Sequence, residues 1–398
     1  MLGWELPPHN SGGLGVACYE MCRALVKDGA TIQFIVPYTA QHDIDFMTVT
    51  AASPQDAVEV MLAGGAYDSA WFIQSTRDGQ VVGHSLYEQQ TIYEQSVDRL
   101  VDINEFDIIH AHDWLTFRAA IKLKRRCHKP LIVHIHATEY DRSGGRQGNN
   151  LVREIEYQGM MMADKVIAVS QATKRVLVEE YAIPATKVEV VHNSINLSDW
   201  PPDHSLNVYS YIELLKQHGY KVIVNVGRLV IQKGLTHLLQ AAQRVLEYQP
   251  KTLFLIVGSG DQYQELIELG AELGISQNLL FTGFQRGKAV DDAYRVADLF
   301  VMPSVSEPFG ITPLEAGARG VPSLISKQSG VSEVMGHALR VDYWDEQEMA
   351  NQIVSVLRSD ALRQTMADLT AAELSGRSWR DAADRLQTVY KSELTSQR

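Results

Sequence analysis

The chain has 398 residues, 45% of them hydrophobic, and a formal net charge of −12. That length exceeds what one hydrophobic core usually serves, so two domains are expected, each with ample apolar material. The acidic balance excludes a nucleic-acid binder held by phosphate contacts, and no apolar run reaches the roughly eighteen residues that a membrane-spanning helix needs.

The first element in chain order is a short strand over Met1 to Trp4. The glycine cluster Ser11-Gly12-Gly13-Leu14-Gly15 follows and opens a helix that runs through Leu25. Glycines let a ligand approach the backbone closely, and a helix N-terminus favours an anion. A diphosphate or sugar against Gly12 and Gly13 is the functional reading, and a plain tight turn is the bland one. On that helix Cys18 and Cys22 read as small buried core residues. With Cys127 they make neither a disulfide framework nor a thiolate metal cluster, and no basic-then-apolar leader precedes them, so a cytoplasmic setting is expected.

Apolar runs at Thr31 to Pro37, Phe106 to Ala111, Pro130 to His136, Lys165 to Ser170 and Lys187 to His192 alternate with helical patterns, the rhythm of a parallel sheet. Two of these strands carry paired histidines at or just past their ends. His110-Ala111-His112-Asp113-Trp114 is one residue short of the His-x-His-x-Asp that begins the ligand set of some metal-dependent hydrolases, and no second cluster with compelling ligand spacing lies downstream. His134-Ile135-His136 places two imidazoles on one face of its strand, with His136 nearer the strand mouth. The basic run Lys122, Lys124, Arg125, Arg126 and Lys129 reads as a solvated helix end; peripheral contact with anionic lipid is the less favoured alternative.

Leu197 to His204, with two prolines, reads as a linker. A second alternating series then runs through Lys221 to Val226, Thr252 to Gly258, Asn278 to Gly283, Asp298 to Pro303 and Val321 to Ser326, and the chain closes with a helix over Trp379 to Leu394. Arg228, at the end of the first of these strands, and Lys233, before the next helix, can converge on one anion. Gly258-Ser259-Gly260-Asp261 begins like a dinucleotide-binding turn, but Tyr263 stands where the third glycine belongs. In Ser304 to Glu315, the carboxylates of Glu307 and Glu315 flank a strand-to-helix turn, and Gly310 leaves the backbone amides around it open to a phosphate.

Taken in order, Trp-Glu-x-Pro-Pro with Ser-Gly-Gly-Leu-Gly, His-Asp-Trp, His-Ala-Thr-Glu, Val-His-Asn at Val191 to Asn193, Gly-Arg-x4-Lys-Gly, Glu-x7-Glu and Ser329 to Glu333 resemble the retaining GT-B glycosyltransferases of the glycogen synthase-like group. The resemblance implies an α/β fold of two doubly wound Rossmann-like domains facing a central cleft. These would be an acceptor-side domain over residues 1–203, joined by a C-terminal helix 375–398 that crosses back to it, and a donor domain over 204–374. It implies transfer of a hexose, glucose by analogy, from a nucleoside diphosphate sugar (UDP or ADP) to an acceptor hydroxyl, with an α-glucan as acceptor and no metal or other cofactor.

By the same resemblance Arg228 and Lys233 hold the diphosphate and Glu315 the ribose hydroxyls. Glu307 orients the sugar and stabilises charge at the ring, and Gly310, Ile311 and Thr312 donate to phosphate or sugar oxygens. His136 holds the donor sugar, and Asp113 contacts acceptor hydroxyls. Asp43-Ile44-Asp45 matches the metal-holding Asp-x-Asp of GT-A enzymes but reads as a solvated loop. One departure is Asn10-Ser11, where bacterial starch and glycogen synthases carry Lys before Gly-Gly.

The alternatives are a small-molecule or lipid acceptor, a metal-dependent hydrolase around His110, His112 and Asp113, or a silent nucleotide-sugar binder. The first strand is short for a buried central strand, so either the true start lies upstream or the first domain is the less stable of the two.

Overall fold

The computed structural model describes residues 1–8, 12–39, 42–52, 57–63, 71–76, 81–201 and 203–396, with 57–63, 71–76 and 81–84 as backbone. Asn10, Ser11 and Pro202 lie outside them. The chain forms two compact units, one of Met1–Tyr140, Gln147–Asn193 and Trp379–Arg398, the other of Asp141–Arg146 and Ser194–Ser378.

In the first unit β1 (Gln33–Val36) pairs parallel with β2 (Thr48–Ala51). A separate antiparallel sheet holds β3 (Ala57–Ala63), β4 (Trp71–Thr76) and β5 (Val81–His84) in that order. A parallel sheet follows, of β6 (Ile109–His112), β7 (Leu131–Ile135), β8 (Lys165–Ala168) and β9 (Val188–Val190). The expected opening strand is reduced to a bridge at Leu2, paired parallel with Ile35 on one side and Ala111 on the other. Leu2 N donates to His110 O at 2.8 Å and Leu2 O accepts from His112 N at 3.0 Å, while Gly3 N donates to Ile35 O at 3.0 Å. This one-residue strand joins β1 and β6 into a single parallel order, β2-β1-Leu2-β6-β7-β8-β9. Every residue of β6 and β7 is buried, as expected of strands covered on both faces.

The last helix, Trp379–Ser396, belongs to this unit, as the resemblance implied. It buries Trp379, Ala382, Ala383 and Leu386, donates from Gln387 Nε2 to Asp28 O at 3.2 Å, and brings the Tyr390 hydroxyl to 2.5 Å from His110 Nδ1.

The second unit is a single parallel sheet of β10 (Lys221–Val226), β11 (Thr252–Val257), β12 (Leu279–Gly283), β13 (Leu299–Met302), β14 (Ser323–Ser326) and β15 (Leu339–Val341), in the order β12-β11-β10-β13-β14-β15. Counted from β10, that is 3-2-1-4-5-6, the doubly wound order whose direction reverses between its first and fourth strands. The helix Leu235–Tyr248 buries Leu235, Leu238, Leu239, Ala242 and Val245, an apolar stripe at helical spacing. With Ile353, Val356 and Leu357 of the helix Glu346–Arg358, it packs into the core around Ile223, Phe254 and Leu299.

Candidate active site

In the second unit, Lys233 leaves the end of β10 and Glu307 leaves the end of β13, so the two flank the point where strand order reverses. In open α/β sheets ligands bind at the carboxyl ends of the strands at this point. Lys233 closes a short 3-10 turn, Ile231–Lys233, capped by Gly234 at φ 65°. A Cβ on Gly234 would stand 2.1 Å from Pro303 O, so only glycine lets this turn lie against the exit of β13.

The result is an ion pair, Lys233 Nζ to Glu307 Oε2 at 2.5 Å, with the glutamate side chain 9% exposed. Ser304 Oγ donates to the same oxygen at 3.1 Å. The backbone of Glu307 is held on both sides: its N–H donates to Gln328 O at 3.0 Å and its carbonyl accepts from Gly330 N at 2.8 Å. Buried Gln232 connects the two loops, accepting from Val305 N at 2.9 Å through its carbonyl and donating from Nε2 to Ser306 O at 3.0 Å. Arg228 lies on the other side of Gln232, its guanidinium 3.5 Å from Oε1. Of Arg228 and Lys233, expected to converge on one anion, Arg228 thus lies against Gln232 and Lys233 is engaged by Glu307.

Gly310, at φ 94°, turns the chain into the helix Thr312–Ala318. The amides of Ile311 and Thr312 precede or open that helix and have no carbonyl one turn earlier within it. Pro313 sits in the first turn, where its missing N–H costs nothing. Glu315 follows on the same turn and accepts from the buried Tyr294 hydroxyl at 2.8 Å through Oε2. Burial raises the Glu315 carboxyl above its ordinary value; the Tyr294 hydrogen bond opposes that rise and the Asp291 charge adds to it.

The glycines after β11 have a packing role. At Gly258, φ 148°, a Cβ would stand 1.8 Å from Gly227 O, and at Gly260 one would stand 2.3 Å from Leu229 O. Leu229 N donates to Ser259 O at 2.8 Å and Gln262 N to Leu229 O at 2.9 Å. Two backbones in contact account for this incomplete dinucleotide match.

In the first unit, β6 and β7 pair with His112 opposite His134, and four imidazoles fill one face of the sheet. His110 stacks on His112 at 4.4 Å and His134 on His136 at 4.3 Å, and His112 Nδ1 lies 3.1 Å from His136 Nε2. Sequence spacing missed this cluster because it lies across a strand register. One nitrogen from each of His110, His112 and His134 lies within 4.8 Å of the others, near ligand spacing. Ring lone pairs lie in the ring plane, however, and His110 is only 22° from parallel with His112 and 10° from parallel with His134. One ion cannot lie in the planes of rings stacked in this way. Burial, reinforced by the neighbouring rings, holds His110, His112 and His134 well below the ordinary imidazole value, and burial lowers His136 to about 3.

Asp113 is 2% exposed at φ 56° and ties the two strand ends together. Its Oδ1 accepts from His136 N at 2.7 Å and Ala137 N at 3.4 Å, and its own N–H donates to His134 O at 3.0 Å. At the helix Gly13–Lys27, the Gly12 amide donates to Glu5 Oε2 at 3.0 Å, so a carboxylate of the chain itself meets that N-terminus. Sequence reading gave Glu5 no such role. Beside Gly13 the space is open.

Cys18 and Cys22 are buried thiols, and burial pushes Cys22 up to about 12. Asp43 and Asp45 are exposed. The basic run is largely spoken for: Lys124 pairs with Asp164 at 2.7 Å, Lys122 and Arg126 with Asp98 at 3.3 and 2.8 Å, and Lys129 donates to Phe106 O at 2.8 Å. Asp203, Asp291 and Asp292 cluster, but Lys288, Arg295 and Arg319 pair with them.

The family model described as Glycosyl transferases group 1 matches residues 212–371, and that of Glycosyltransferase Family 4 matches 11–199. An uncharacterized glycosyltransferase of Methanocaldococcus jannaschii is 30% identical over 98% of this chain and 97% of its own length. A glycogen synthase of Mycobacterium tuberculosis is 25% identical over 98% of this chain and 93% of its own. Among solved structures, Anabaena HepE in complex with UDP and glucose superposes with a TM-score of 0.72 at 19% identity, covering 98% of each chain, which speaks for the fold. With both halves matched by glycosyltransferase family models and a relative 30% identical over nearly its full length, this chain belongs to the group 1 glycosyltransferases and has the GT-B fold.

Proposed function

We propose that this glycosyltransferase moves a hexose, glucose by analogy, from a nucleoside diphosphate sugar to a hydroxyl of an α-glucan, with retention at the anomeric carbon and without a metal. The observation that carries the reading is Lys233 paired with Glu307 at the strand-order reversal, with Glu315 one helical turn beyond Gly310. A leaving diphosphate needs positive charge where negative charge develops, and a fixed lysine with an arginine nearby supplies it in place of a metal. Arg228 and Lys233 take the diphosphate, the amides around Gly310, Ile311 and Thr312 a phosphate or sugar oxygen, and Glu315 the ribose.

Glu307 passes from Lys233 toward the sugar as the C1–O bond to phosphate breaks, offsetting positive charge at the ring. The acceptor oxygen bonds to C1 on the same face, and its proton goes to the departing phosphate oxygen. In the first unit His136 is neutral at pH 7 and serves the donor sugar as a hydrogen-bonding group. Asp113 sets the strand ends that carry His136, and the open space beside Gly13 admits the sugar or acceptor, while the Gly12 amide is held by Glu5. The glycogen synthase likeness supports the glucan acceptor, and the complex of HepE with UDP and glucose supports a nucleoside diphosphate donor.

The test is a matrix of UDP-glucose and ADP-glucose against malto-oligosaccharides, small polyols and lipid acceptors, with anomeric configuration read by NMR. An α-linked glucan extension supports the reading. Turnover only on a polyol or lipid overturns the acceptor, a β-linked product overturns retention, and no release of nucleoside diphosphate with any acceptor favours a silent binder.

A further inference from the structure

Glu315 is engaged by a side chain of its own unit. The Tyr294 hydroxyl donates to Glu315 Oε2 at 2.8 Å, and Tyr294, in the helix Lys288–Val296, is 0% exposed. Its ring packs against Phe300 of β13, 6.1 Å away, and meets Trp200 edge-on at 6.5 Å. Trp200 is held in turn by Arg319. That guanidinium lies 5.2 Å from the indole ring, donates to Pro201 O at 2.7 Å, and pairs with Asp291. The phenol therefore has little freedom to turn, and a buried phenol hydroxyl needs an acceptor. Here that acceptor is one oxygen of Glu315.

We propose that Tyr294 is a positioning residue for the nucleotide: by holding Oε2 it fixes the carboxylate plane of Glu315 so that Oε1 faces the vicinal hydroxyls of a ribose, and the site thereby discriminates ribose from deoxyribose. The proposal rests on the reading of Glu315 as the ribose ligand. An unheld carboxylate rotates about its last bond and offers the two hydroxyls no single geometry. A held one makes both hydrogen bonds without further ordering and loses one outright when a hydroxyl is missing, the situation in which a polar site rejects an analogue most strongly. The same hydrogen bond opposes the upward push of burial on the Glu315 carboxyl.

The test titrates the full chain with UDP and ADP and with their 2′-deoxy and 3′-deoxy counterparts, for wild type, Tyr294→Phe, Glu315→Ala and the double variant. Phenylalanine keeps the ring and removes only the hydroxyl. The wild type should prefer the ribonucleotide by at least about tenfold, the scale of a hydrogen bond to a charged group. Tyr294→Phe should cut that preference several-fold by weakening the ribonucleotide alone, raising KM for the donor sugar and leaving kcat near wild type.

In the Glu315→Ala background the tyrosine change should have no further effect on any of the four affinities. Equal weakening of ribo and deoxy ligands by Tyr294→Phe, or a further loss in that background, would show a merely structural role and overturn the proposal. If Glu315→Ala abolishes the preference while Tyr294→Phe leaves it intact, the positioning role fails and the ribose reading stands. If Glu315→Ala leaves the preference unchanged, the ribose reading fails and the proposal with it.

Discussion

Lys233 and Glu307 form one 2.5 Å ion pair at the point where the strand order of the second unit reverses, so the residue assigned to the diphosphate and the residue assigned to the sugar constrain each other. Their effects on catalysis should therefore not add. Lys233→Ala and Glu307→Ala should each lower kcat/KM by about a hundredfold or more, the cost of losing a preorganised partner of transition-state charge. The double variant should fall far short of the product of the two losses. The measurement is a double-mutant cycle on kcat/KM with saturating acceptor, and multiplicative losses would mean that the pair acts as two separate groups.

Glu315 carries a cost in the folded state. Its carboxyl is raised by burial, so the folded chain holds that proton more tightly than the unfolded chain does. The stability it contributes is complete below the ordinary glutamate value of 4.5 and is lost as the pH rises through the folded value. At pH 7 Glu315→Gln should raise Tm and weaken nucleotide binding together, and the two proteins should converge in Tm as the pH falls below 4.5. Thermal unfolding at pH 7 and pH 4, with UDP and ADP titrations at pH 7, checks it; a lower Tm for the variant at pH 7 would remove burial as the dominant influence on this carboxylate.

How much of this was legible in the sequence depended on the range of the signal. Lys221–Val226, Thr252–Val257 and the helix Leu235–Tyr248 were readable because long apolar runs and a helical stripe are local patterns. The antiparallel strands over 57–84 were not read, although the alternation in Ala57–Ala63 and the close spacing of Trp71–Thr76 and Val81–His84 carry a hairpin signal. The three-residue β15 was too short to stand out. Glu307 and Glu315 were found by spacing, but Tyr294, Gln232 and the pairing of His112 with His134 depend on contacts between segments far apart in sequence, which periodicity does not record.

The glycine that seats Lys233 should tolerate no side chain. Gly234→Ala meets both the left-handed backbone cost, roughly 1–2 kcal/mol, and a carbonyl oxygen 2.1 Å from the new Cβ. It should destabilise the second unit by at least about 2 kcal/mol and displace Lys233, with denaturant unfolding and kcat as the two readouts. Wild-type stability would mean that the turn can back away from Pro303.

Transfer should survive excess EDTA, since Arg228 and Lys233 are proposed to neutralise the diphosphate. Rates with and without the chelator, each followed by added Mn²⁺, are the check. Complete loss on chelation with recovery on Mn²⁺ would overturn the metal-free assignment and return attention to Asp43 and Asp45.

The histidine face of the first unit should make that unit sensitive to mild acid. His110, His112, His134 and His136 are all held below the ordinary imidazole value of 6.5, mainly by burial, so the unfolded chain takes up protons that the folded chain refuses. A depressed imidazole contributes stability that is complete above 6.5 and is lost as the pH falls toward the folded value, about 3 for His136. Each such ring costs up to about 1.4 kcal/mol per pH unit once the unfolded chain is protonated. Between pH 6.5 and 5, above the range where ordinary carboxylates titrate, Tm should fall steeply. His134→Val replaces the ring of a buried residue on β7 with an apolar side chain and removes one of these protons, so its Tm should fall less steeply over the same interval. Parallel slopes for the variant and the wild type would mean that His134 takes up its proton within the folded chain, and the account of His110, His112 and His134 as neutral, buried rings would be wrong.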